Sequence, residues 1–185
     1  MKIHMLPGIR ADAHTMDYFH TLVKNVNDQF DLAQRARNTG FDVHSEVECI
    51  PVTDLGDRTE KLAGPIGIAQ RFRDVLTEQK EDRMKTIFQL FKEIILEEGG
   101  WYHEPNMEKR VEQGIKTCLV IMTEGVVVAP LDGLPYVKLG KNSDGTQFVD
   151  IYFAGPIRAA GASAAVLPLI LGDYAQHLLG LGRFI

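Results

Sequence analysis

Apolar positions recur at spacings of three and four through the first two thirds of the chain, and then the rhythm changes. Phe19, Leu22, Val23, Val26, Phe30 and Ala33 share one face of a helix predicted over about Asp12 to Asn38, with Gly40 ending it. The stretch PVTDLGDRTEKLAG, opened by Thr53 or Asp54 as N-cap and stopped at Gly64, predicts a short second helix. Pro65 suits the first turn of the next, whose apolar face is Ile68, Ala69, Phe72, Val75 and Leu76. Met84, Ile87, Phe88, Phe91, Ile94 and Ile95 repeat the pattern up to Gly99-Gly100, and Val111, Ile115, Cys118, Leu119 and Met122 give a helix after Pro105-Asn106. These faces are expected to be core, packed as in a bundle.

After Glu124 the period shortens. GVVVAP and YVKL are short β-branched or alternating runs, and GKNSDGTQFVDIYF joins a turn-rich loop to a second alternating run, which predicts a hairpin. Asn142, Asp144 and Gly145 supply the turn chemistry, because they tolerate positive φ or bond their own backbone. A closing helix follows, with Leu167, Ile170, Leu171, Tyr174 and Leu178 on one face. Pro168 lacks an N–H, so that helix either starts close to Ser163 or Ala164 or kinks. The expected fold class is therefore α+β: a helical bundle-like region over 1–124, then a small antiparallel sheet with a closing helix over 125–185.

Composition sharpens that division. Residues 1–124 hold all the Glu and most of the Asp and carry the whole net charge of −5, whereas residues 125–185 are neutral and hold 9 of the 17 Gly. A net negative chain does not bind nucleic acid by bulk electrostatics. The longest uncharged run, Ala159 to Gly172, is 14 residues, short of the roughly 20 that span a bilayer, so a buried helix is expected rather than a membrane one. The N-terminus lacks the apolar segment of a secretory signal, and Cys49 and Cys118 are too few and too far apart for a disulfide framework or a zinc site; a reducing cytoplasm is the expected location.

Among chemical motifs, the run YFAGPIRAAGASAAVLPLILGDY asks most for explanation. As a Walker loop it fails twice, since five residues separate Gly155 from Gly161 and Ala162 stands where Lys is required. A weaker version keeps Arg158 and the first N–H groups of the following helix around an anion such as a DNA phosphate. The alternative is a packing turn whose small residues allow close helix-to-sheet contact. As a nucleophile elbow around Ser163 it also fails, because GPIRAA intervenes after the strand and Ala165 replaces the final Gly; Ser163 then reads as a helix cap. The six His show no i, i+4 pair, His103-Glu104 is followed by Pro105, and no Asp-x-Asp occurs, so no catalytic residue or metal ligand is expected. Candidate anion or DNA contacts are Arg158, Gly161, Ser163, Lys138 and Lys141.

Two stretches carry a resemblance. AQRARNTGFDVHSEVECIPVTDLGDRTEKLAGPIGIA and IMTEGVVVAPLDGLPYVKLGKNSDGTQFVDIYFAGPIRAAGASAA resemble, in order and spacing, the extreme N-terminal part of the large subunit of archaeal family D DNA polymerase, also called DNA polymerase II large subunit. TEGVVVAPL, KNSDGT and YFAGPIR are the most specific words. The resemblance implies a heterodimeric replicative polymerase in which the large subunit synthesises DNA and a small subunit is the proofreading exonuclease. It also implies a magnesium-dependent aspartate cluster far downstream, so this region is expected to be a fragment with an architectural role and no cofactor of its own. Where the family has a terminal helix with three more cations, this chain has Ala175, Gln176, His177, Leu178 and Leu179 after Tyr174, which implies weaker phosphate contact and a flatter salt dependence. The other readings are a free-standing acidic protein–protein adaptor, and an anion- or nucleotide-binding protein using the loop from Gly155 to Ser163.

Overall fold

The structure is a computed structural model that describes residues 12–41, 52, 54–123, 130–155, 157 and 161–185. Two compact units divide at Asp54/Leu55. The first contains helix α1, Ala13–Arg37, close to the predicted bounds. Asp12 caps it by accepting the Thr15 N–H at 2.7 Å, and that bond holds the Asp12 carboxyl below its ordinary value. Arg35 and Arg37 lie in the last turn, where cations favour the helix dipole. The stripe expected to be core is not core: α1 buries none of its residues, and Leu22 and Val26 are 43% and 53% exposed. The reason is that this unit has, among the described residues, no second element to cover the stripe.

The second unit, Leu55–Ile185, holds α2 (Leu55–Leu62), α3 (Ile68–Glu78), α4 (Arg83–Leu96), α5 (Met107–Met122), the hairpin β1 (Tyr136–Lys141) and β2 (Gln147–Tyr152), and α6 (Ala162–Leu179). α4 and α5 form its centre: Ile87, Leu90, Phe91, Ile95, Val111, Ile115, Cys118 and Leu119 are fully buried, with Phe72 and Val75 of α3 on one side and Leu167 and Leu171 of α6 on another. Local chemistry explains the helix ends. Asp82 and Asn106 accept the N–H groups of Lys85 and Lys109. Glu60 reaches from α2 to accept the Gly67 and Ala69 N–H groups at the start of α3. Pro65, expected inside the first turn of α3, instead accepts the Ile68 N–H from the turn ahead of it.

The compositional change at residue 125 is not where the compact units divide, since elements from both sides of it share this core: Leu134 and Val137 are buried with α5, and α6 packs on α4 and α5. The strand expected at 125–130 falls largely on residues 124–129, outside the described residues, and Pro130 opens a 3-10 turn, Pro130–Gly133. The hairpin is antiparallel in the register Tyr136↔Tyr152, Lys138↔Asp150, Gly140↔Phe148. Its turn closes with the Asn142 N–H on the Thr146 carbonyl at 2.8 Å and Gly145 at φ 88°, a conformation that glycine adopts without strain.

α6 starts at Ala162, close to the expected Ser163, and carries Pro168 as its seventh residue. Its buried face is Ala164, Leu167, Leu171 and Ala175; Ile170, expected there, is 48% exposed beside Val166 and Leu169.

Candidate nucleic-acid interface

The hairpin is held from both edges. Leu139 and Val149 face each other as a non-hydrogen-bonded pair, which turns their N–H groups outward. Each meets a helix side chain: Leu139 donates to Glu108 Oε1 of α5 at 2.8 Å, and Val149 to Gln176 Oε1 of α6 at 2.9 Å. Two edges that would otherwise be unsatisfied thus register the ribbon on the helices. At the turn, the nearly buried Asn142 donates to Thr146 Oγ1 and to the Arg183 carbonyl, and accepts the Ile185 N–H. KNSDGT therefore does more than reverse the chain; it ties down the segment after α6.

One face of the ribbon packs inward through Val137, Val149 and Ile151. The hydrogen-bonded pairs stand on the other. There the Tyr136 and Tyr152 rings lie 4.4 Å apart, and the Lys138 ammonium is 5.3 Å and 6.0 Å from their centroids, within cation–π range. Across from Lys138, the Asp150 carboxylate beside the Tyr152 hydroxyl raises that phenol's pKa, through the hydrogen bond first and the charge second. Phe148 lies over Gly140, and Phe184 meets it edge-on at 5.1 Å.

The sequence candidates separate here. Lys138 belongs to this face. Lys141, opposite Gln147 in a non-hydrogen-bonded pair, is exposed at the end of β1 and is assigned by the alternation to the other side. Gly161 precedes α6 at φ 93°, ψ 170°, with no side chain to cap the helix, and Ser163 is the helix's second residue. Arg158 lies outside the described residues. What is described of that loop is packed: Ala154 donates to the Gly133 carbonyl at 3.0 Å and Ile157 is buried. Tyr136, Phe148, Asp150 and Tyr152 were missed because each strand alone shows only alternation. Folding the sequence about residues 142–146 aligns them.

A second polar cluster is internal. Glu93, 4% exposed, accepts from Arg71 Nε and Nη2 at 2.8 and 2.7 Å, from Gln89 and from the Trp101 indole. Burial pushes its pKa up, and these donors outweigh it, so the carboxyl stays below its ordinary value. With its oxygens occupied by protein donors it is a structural tie between α3, α4 and the 98–106 loop. Among the described residues no three His, Cys, Asp or Glu converge to hold a metal ion.

The family model described as DNA polymerase II large subunit DP2, N-terminal, matches residues 17–185. Relatives named DNA polymerase II large subunit include those of Methanococcus maripaludis, 38% identical over 95% of this chain, Pyrococcus furiosus, 39% over 91%, and Methanosphaera stadtmanae, 42% over 91%. The chain spans only 15%, 13% and 15% of the length of those relatives. The match from near the start of α1 through the hairpin to Ile185 means that the chain belongs to the family of N-terminal regions of the DNA polymerase II large subunit.

Proposed function

We propose that this chain serves DNA replication as the non-catalytic N-terminal part of a polymerase large subunit. It contributes a rigid helical core that positions the β1–β2 hairpin beside the path of DNA, and a surface for the small, exonuclease subunit. Nucleotidyl transfer, with its magnesium, belongs to the remaining chain, and no step of it is assigned to residues described above. The observation that carries the reading is the family match over 17–185. The structure supports it mechanically: a hairpin pinned by Glu108, Gln176 and Asn142 presents its outer face in a fixed geometry, as a lining surface requires.

The test is the coding sequence downstream of Ile185, together with co-purification. A continuous frame encoding an aspartate cluster, and co-elution of the assembled chain with a small subunit, are the expected results. An absent frame and no co-elution would remove the polymerase reading. One observation favours the rival, a protein–protein adaptor: the uncovered stripe of α1. Tight capture of a small subunit with no effect of DNA on any property of the chain would select it.

A further inference from the structure

The outer face of the hairpin points to a narrower ligand than DNA in general, and the inference rests on the reading that this region lines a DNA path. Tyr136 and Tyr152 are 42% and 36% exposed, and Phe184 is 77% exposed while touching Phe148. The two aromatic clusters are four residues apart along β1, about 13 Å at the rise of a strand. Between them stands Lys138, its ammonium held toward the tyrosine rings, with Asp150 opposite it on β2.

Rings set on a β surface beside an ammonium offer an unpaired base a π-face and offer the backbone between bases a charge. Duplex DNA keeps its bases stacked on one another and would gain only the single cation. A chain of net charge −5 has little to offer phosphates elsewhere, so stacking must supply most of any affinity. We propose that this face binds single-stranded DNA, with unpaired bases stacked on Tyr136, Tyr152 and the Phe148–Phe184 pair and a backbone phosphate on Lys138.

Fluorescence anisotropy of a labelled oligothymidylate of about ten nucleotides, within the site size of a single-strand binding surface, tests this against an abasic oligomer of equal length and a duplex. The oligothymidylate is expected to bind about a hundredfold tighter than the abasic strand, roughly tenfold for a base on each of the two aromatic clusters. Tyr136→Ala and Tyr152→Ala should each lose up to about tenfold of that difference, Tyr136→Phe should keep it, and Lys138→Gln should flatten the salt dependence by about one phosphate. Circular dichroism establishes that each variant is folded, and Tyr136→Phe against Lys138→Gln still decides the matter if an alanine variant is not. Equal binding of thymidylate and abasic strands, or thymidylate binding indifferent to Tyr136→Ala, overturns the proposal and leaves the DNA-path reading standing. No binding of any DNA overturns both, and protection of Tyr136 and Tyr152 by the small subunit instead of thymidylate reassigns the face to a protein.

Discussion

A β-carbon at residue 172 would lie 2.6 Å from Ile151 Cδ1, the far end of a rotatable side chain, where α6 rests on β2. Gly172→Ala gains up to about 1 kcal/mol of helix propensity while displacing that one methyl, and a net change within about 1 kcal/mol is expected from urea unfolding. Glu93 shows the opposite case, a charge made tolerable by its donors. Arg71→Ala leaves the carboxylate with Gln89 and Trp101 alone and is expected to cost about 3 kcal/mol. Because the Glu93 pKa is depressed in the folded state, its contribution is present above the ordinary value of 4.5 and is lost as the pH falls through the lower folded value. The stability difference between the natural protein and Glu93→Gln should therefore hold steady near neutrality and shrink on acidification. Neither residue is distinguishable in the sequence: one is a glycine in an apolar run, the other a glutamate among helical charges.

Elements were more legible than contacts. The bounds of α1 and the turn at 142–146 follow from nearest-neighbour chemistry, which the sequence displays directly. α6 departs from that pattern in its buried face, because its packing against α4, α5 and β2 turns Ile170 outward. The hairpin turn is partly legible: its reversal is local, whereas the bonds from Asn142 to residues 183 and 185 join positions some forty residues apart. Asn142→Ala removes these ties and is expected to cost about 1–3 kcal/mol. It should also speed amide exchange at Gly182, whose N–H bonds the Gln147 carbonyl, and at Ile185, while leaving α4 and α5 protected. Unchanged exchange at both amides would mean that Asn142 does not hold the segment after α6.

For the whole molecule, the informative surface is apolar. Val166, Leu169 and Ile170 are about half exposed on a helix whose other face is core, which suits a helix covered on both sides in a larger assembly. Leu169→Gln with Ile170→Gln should change stability by no more than about 0.5 kcal/mol per site while reducing self-association in sedimentation, because these side chains contribute little to the fold. Among the described residues no helix is long and apolar enough to cross a membrane, so these side chains are not a span. From the sequence alone come the α+β class, the order of helices and hairpin, the absence of a recognisable Walker loop or elbow, and the family, because these depend on periodicity, turn chemistry and ordered words along one chain. Tertiary structure decided which stripes are buried, that Glu93 is a tie, and that Lys138 stands with two tyrosines. The physical reason is that burial and cross-strand register arise from partners distant in sequence, and a periodic pattern specifies a face without specifying what, if anything, covers it.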